Sequence, residues 1–235
     1  MVDIVVLDPS VHADVRVKAG ASELHGDDQR FVRIVLREFP LAVVHYPILL
    51  TKDAETGAFF CGAMLGIDPH ENLFFDRRGK MISYRPLTLQ RAPFYLAGDR
   101  LAIDLDSSRV SVSDGEPLFD DAGEPTSFTR SILNAFRELK PGIDATAEFI
   151  AELLQFDLIE PIDISLSFDD GEKRDLRDLY TIDQDRLRAL SDDVVLDLFK
   201  KGHLHSISLM IASLKQIPVL ARRRNEQLLP ESHYG

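Results

Sequence analysis

Glu38-Phe39-Pro40-Leu41-Ala42-Val43-Val44-His45-Tyr46-Pro47-Ile48-Leu49-Leu50 is the most apolar window of the chain, and its two prolines divide it. A residue before proline avoids the α region, so Tyr46 is expected to be extended. Leu41–Tyr46 then reads as a short turn or helical piece, and Ile48–Leu50 as a strand entering the core. Working outward, Phe31–Leu36 has the β-branched content of a strand. Ile4–Leu7 is a second apolar run, separated from it by a polar connection over Val11–Gln29. Downstream, Lys52–Gly57 is a polar turn. Ala58–Ile67 and Leu73–Phe75, joined by Asp68-Pro69-His70-Glu71-Asn72, have the pattern of a hairpin. Asp76-Arg77-Arg78-Gly79 is a further turn before Met81, Ile82 and Tyr84. Phe94–Ala97 and Leu101–Leu105 flank Gly98-Asp99-Arg100 as another strand pair. Residues 30–112 thus predict a mostly antiparallel meander.

A loop rich in Asp, Glu, Gly and Pro over Ser113–Thr126 marks a change of composition. Phe128, Ile132, Ala135 and Leu139 recur at helical spacing, and Pro141-Gly142 predicts the end of that helix. Ile143, Ala147, Ile150, Leu154 and Leu158 predict a second one. Ile162, Ile164, Leu166 and Phe168 alternate with polar residues, and Asp170-Gly171 turns the chain into a return strand ending near Tyr180 and Ile182. Ser191 with Asp192 and Asp193 reads as a helix start, and Lys200-Lys201-Gly202 as its end. A last helix runs through Leu204, Ile207, Ile211 and Leu214 to Pro218. The prediction is one α+β domain over 1–235, with an antiparallel β meander in the first half and helices plus a β-hairpin, about 127–220, in the second.

Acidic residues outnumber basic ones 39 to 27, for a formal charge of −12. Such a chain is repelled by nucleic acid unless a local patch overrides the mean. The one basic cluster, Arg222-Arg223-Arg224, reads as a solvated helix end. Cys61 is the only cysteine, which excludes an internal disulfide and a cysteine-based zinc site. The N-terminus lacks a basic segment followed by a long apolar one. No window has the roughly 18 apolar residues of a spanning helix. A cytoplasmic protein without an integral membrane segment is expected.

Few residues suggest chemistry. His12-x-Asp14 has the spacing that opens a facial iron triad. His203-x-His205 would share a face on a strand, but its place after a helix stop favours capping or surface exposure. Glu38 and His45 form a possible acid–base pair beside the Tyr46 hydroxyl, against a structural reading in which the histidine bonds a backbone carbonyl. Arg85 and Arg91 would converge on an anion if their segment is extended. No glycine-rich phosphate loop, nucleophile elbow or metalloprotease helix motif is present, and the acidic loop lacks EF-hand order.

Several pieces nonetheless stand in a recognisable order. They are Glu38-Phe39-Pro40 with His45-Tyr46-Pro47-Ile48, Leu65-Gly66 with Glu71-Asn72-Leu73-Phe74, Tyr84-x-Pro86, and Arg91-x-Pro93-Phe94. Pro117-Leu118-Phe119 with Gly123-Glu124-Pro125, Leu179-Tyr180-x-Ile182-Asp183, and Gly202-x-Leu204 leading to Ser213-Leu214 complete the set. In that order they resemble the SapC-like bacterial proteins, which implies a family named after a component of a bacterial surface-layer locus. Its members are often encoded beside tryptophan-halogenase-like and cupin-like proteins and TonB-dependent receptors. It implies no catalytic set and no cofactor. Gln90 and Ala92 depart from the arginine and aromatic that relatives often carry there, and the chain has no tryptophan.

These readings lead to an expected non-catalytic accessory protein, binding a protein or peptide partner through Glu38, His45, Tyr46, Asn72, Tyr84, Arg85, Arg91 and Phe94. Aromatic and arginine side chains are the usual anchors of such surfaces. The alternatives are an enzyme working with the oxidative neighbours, through His45 and Glu38 or a metal, and a surface-layer structural subunit.

Overall fold

The computed structural model describes residues 3–19, 27–76 and 78–228. Part of the expected Val11–Gln29 connection, and Arg77 of the predicted turn, lie outside them. The strands are β1 (Ile4–Val6), β2 (Arg16–Val17), β3 (Phe31–Arg33), β4 (Ile48–Lys52), β5 (Phe59–Met64), β6 (Phe94–Ala97), β7 (Arg100–Asp104), β8 (Val110–Ser111) and β9 (Glu116–Pro117). After these come β10 (Ile159–Pro161), β11 (Ile164–Ser167), β12 (Lys173–Leu176) and β13 (Tyr180–Ile182). The helices are α1 (Phe39–Ala42), α2 (Leu87–Gln90), α3 (Ser127–Gln155), α4 (Gln184–Arg188), α5 (Asp192–Lys200), α6 (His203–Ser213) and α7 (Ile217–Leu228). Antiparallel sheets with several helices make this an α+β fold, as the sequence predicts.

The chain forms two compact units, Met1–Asp28 with Phe75–Pro141, and Gln29–Phe74 with Gly142–Gly235. In the first, the sheets β1-β7-β6 and β8-β2-β9 enclose Leu7, Val17, Phe94, Ile103, Leu118 and Ile132. The expected β6–β7 hairpin is present, with Phe94 opposite Ile103 and Ala97 opposite Arg100. Beside this core Asp27 and Arg109 form an ion pair with both side chains almost wholly buried, and Arg85 lies 3.6 Å from the same carboxylate.

The second unit is built on the antiparallel sheet β10-β13-β4-β5-β3. Side chains alternate across it. Ile48, Leu50, Cys61 and Ala63 are fully buried on one face. Burial there pushes the Cys61 thiol up to about 12, so it behaves as a small apolar side chain. Helix α6 packs against β4 and β13. Its Ser213 hydroxyl accepts from the Ile48 amide at 2.8 Å and donates to the Met210 carbonyl at 2.6 Å. The β11–β12 hairpin predicted around Asp170-Gly171 forms a separate two-stranded sheet.

Three expectations are corrected. Ala58–Ile67 and Leu73–Phe75 do not form a hairpin: β5 pairs with β3 and β4, and the intervening chain closes into a tight loop. A Cβ at Gly66 would lie 2.1 Å from the Glu71 carbonyl oxygen, so only glycine permits that approach. The return strand after Asp170 ends at Leu176; Tyr180–Ile182 is a separate strand, paired with β10 and β4. Finally, Pro141 does not end its helix, since α3 runs through it from Ser127 to Gln155. An interior proline costs about 3 kcal/mol. Each half of α3 is anchored in its own unit, Ile132 in one core and the fully buried Phe149 and Leu153 in the other. Burying two such side chains contributes roughly 3–6 kcal/mol, enough to offset the break.

The helical run His203–Gln227 is long and apolar enough by composition to cross a membrane, which the sequence reading did not anticipate. It contributes Ile207, Met210 and Leu220 to the buried core of its unit.

Candidate functional site

The face of the five-stranded sheet opposite Ile48 and Leu50 is only partly covered. Phe31 on β3, Met64 and Phe60 on β5 and Thr51 on β4 form the floor of a cleft of about 270 Å³. One bank is Arg30 and Gly66; the other is Leu176-Arg177-Asp178-Leu179, the link from β12 to β13. The Thr51 hydroxyl donates to the Asp178 carbonyl at 2.8 Å and ties that link to β4. Gly62 decides where the floor lies, because a Cβ there would meet the Phe31 ring at 2.1 Å. Without one, the ring rests over β5, edge-on to Phe60 with centroids 6.0 Å apart. The Arg33 guanidinium covers the outer side of Phe60 at 4.1 Å and pairs with Asp53.

An ionic network fixes the bank carried by the β11–β12 hairpin. Arg174 binds Asp68 at 2.9 Å and Glu172 at 2.8 Å. Arg224 binds Asp68 at 2.8 Å and also Glu71. The second Glu71 oxygen accepts the Ile67 and Asp68 amides, closing the loop that begins at Gly66. Burial alone would raise the Asp68 carboxyl, but hydrogen bonds and charge from Arg174 and Arg224 outweigh it and hold it low. Arg223 and Arg224 are therefore part-buried, not a solvated helix end, and Arg223 lies 4.4 Å over the Phe74 ring.

The structure divides the sequence-derived site residues between the two units. In the sheet unit Tyr46, Asn72 and Glu38 are interior. Tyr46 meets Phe74 edge-on at 4.6 Å, and Asn72 accepts the Phe74 amide at 3.0 Å. Glu38 accepts the Val35 amide at 2.9 Å, capping the turn before α1. His45 is half-buried against the Tyr46 ring at 5.7 Å. In the other unit Phe94 is core, and the half-buried Tyr84 precedes α2. Arg85 and Arg91 do not converge on an anion. A helical turn separates them, Arg85 donates to the Leu89 carbonyl, and Arg91 donates to the Phe94 carbonyl at 2.9 Å while lying over Tyr95. Glu38, Tyr46, Asn72 and Phe94 hold the interior together in this conformation and do not present themselves to a partner.

The histidine pairs are likewise structural. His12 Nδ1 lies within 3.1 Å of the backbone of Asp8 in its own loop. His203 is the first residue of α6 and is buried, 2.6 Å from Glu152, which also binds Lys201; His205 is exposed. Residues two apart on a helix do not share a face, so this pair does not chelate. Among the described residues no three His, Cys, Asp or Glu side chains gather as a metal site.

The sequence reading missed Arg30, Phe31, Phe60 and Arg177. The signal was the period-two recurrence of Phe31 and Arg33 about the buried Val32 on β3, and of Phe60 and Met64 about the buried Cys61 and Ala63 on β5, the pattern of a half-covered sheet face.

His45 and Glu152 are among the groups that give the stability a pH dependence, with Asp68 and other carboxylates that are also held low. Burial, then the neighbouring Arg223 charge, lowers His45 below its ordinary 6.5. Glu152 lies below its ordinary 4.5, because Lys201 and His203 outweigh the opposing effect of burial. Both folded values are depressed, so the unfolded chain binds more protons as pH falls. The contribution of His45 is complete above 6.5 and declines below it; that of Glu152 declines below 4.5. Urea unfolding at pH 7.5, 5.5 and 4 is expected to show two successive losses, the first from His45 and the second shared by Glu152 with the other lowered carboxylates such as Asp68, and a flat profile would contradict these assignments.

Together these features define an α+β scaffold with an arginine-flanked aromatic cleft on one sheet. The chain belongs to the SapC family, whose model matches residues 7–220. No curated protein and no solved structure matches it.

Proposed function

We propose that this SapC family chain is a binding protein that takes a side chain or short segment of a protein partner into the cleft of the sheet unit. The observation that carries this is the lining itself: two phenylalanines, a methionine and two arginines among ten residues. Aromatic residues, methionine and arginine are the types enriched where proteins meet. The volume supports the choice of ligand. At about 270 Å³ the cleft lies below the roughly 300–1,000 Å³ of sites that enclose a small molecule. It suits an anchor side chain whose remaining chain stays outside.

The test compares partner recovery by the wild type and by the Phe60→Ser/Arg177→Ala variant, both purified from the native host with thermal melts recorded. A discrete partner retained by the wild type and lost by the variant, with similar melts, is the expected result. Equal recovery by both proteins would overturn the cleft assignment. The Tyr84–Phe94 segment, proposed as a binding surface from sequence, is the control: a Tyr84→Ala/Arg91→Ala variant that alone loses the partner would move the site there.

A further inference from the structure

We infer that the cleft selects an acidic segment, one in which carboxylates flank an apolar side chain. This rests on the cleft reading above and adds the chemistry of the partner. The carrying observation is a local reversal of charge. The chain as a whole has a net charge of −12, yet the lining contains Arg30, Arg177 and one acid, Asp178. Most arginines around the sheet are committed to acids: Arg33 to Asp53, Arg174 to Asp68 and Glu172, and Arg224 to Asp68 and Glu71. Arg30 and Arg177 are exposed and have no carboxylate within ion-pair distance among the described residues. The Arg30 guanidinium reaches the Ile67 carbonyl, at 3.4 Å.

The placement of these two charges selects the ligand. Arg30 leads into β3, and Arg177 belongs to the link tied to β4, with β5 and the Phe60 ring between them. A single terminal carboxylate serves one bank. A segment passing over the floor can seat an apolar side chain against Phe31, Phe60 and Met64 and offer acids to both banks. Guanidinium groups suit this role, since they stay charged and fork onto carboxylates.

The experiment titrates the full chain, labelled with ¹⁵N, with acetyl-Asp-Asp-Phe-Asp-Asp-amide, followed by amide shifts. Two comparison peptides replace the acids by asparagine or the phenylalanine by glycine. Saturable shifts at Phe60, Met64, Gly66 and Leu179 are expected. Two exposed ion pairs support binding about tenfold tighter than that of the asparagine peptide. Arg177→Gln, at an exposed position, should weaken the acidic peptide severalfold and leave the asparagine peptide unchanged. Equal affinity for the acidic and asparagine peptides would overturn the acidic selectivity while leaving the cleft as a binding site. Equal affinity for the glycine peptide would overturn the apolar anchor. Shifts absent from the cleft with all three peptides would overturn both this inference and the binding reading beneath it.

Discussion

Replacing Asp27 by alanine is expected to lower the unfolding free energy by about 3–5 kcal/mol, the usual cost of removing one member of a buried ion pair. The Asp27 and Arg109 side chains are 1% and 2% exposed, and Arg85 shares the carboxylate at 3.6 Å. Arginine does not lose its proton as a lysine can, so the variant leaves two cations facing one another with little water. Arg85 already registers this environment. Burial lowers it to about 10, with Asp27 opposing the shift and Arg109 adding to it. A second substitution gives the diagnostic. Arg109→Met in the Asp27→Ala background removes the buried cation and keeps most of the volume, so much of the loss should return. Urea unfolding of the three proteins measures this; a loss below about 1 kcal/mol for Asp27→Ala would show that the pair is better solvated than its burial indicates.

Phe74→Ala is the second large effect, expected to cost about 3–5 kcal/mol. The ring is 1% exposed, meets Tyr46 edge-on at 4.6 Å and carries the Arg223 guanidinium at 4.4 Å. Truncation opens a cavity beneath Tyr46 and leaves the Arg223 cation without its aromatic face. Phe74→Leu keeps most of the apolar burial and should cost markedly less. Equal losses for the two variants would mean that ring contacts, rather than filled volume, dominate the site.

Much of the fold was legible. The β6–β7 and β11–β12 hairpins and α5, with Ser191 at its N-cap position, follow from turn residues and periodicity close in sequence. What failed depended on distant partners. Pro141 is tolerated because separate cores hold the two halves of α3, and no local pattern reports that. The Gly66–Asn72 loop imitates a hairpin turn, yet Glu71 closes it by capping two amides.

The site was less legible for a related reason. The motif residues Glu38, Tyr46, Gly66, Glu71, Asn72 and Phe74 all have structural work: capping turns, closing a loop or filling the space beside α7. A motif of that kind identifies a family through its architecture and is easily mistaken for a surface. The cleft residues sit instead on strands whose partners were unknown, so the shared face of Phe31, Thr51 and Phe60 emerged only with the register.

Photo-crosslinking in the native host tests the central claim most directly. A benzoylphenylalanine placed at Leu179, on the rim of the cleft, is compared with one at the exposed Val112 of the other unit. A discrete crosslinked protein is expected from position 179 and none from position 112. The same adduct from both positions, or from neither, would contradict a partner-binding cleft on the five-stranded sheet.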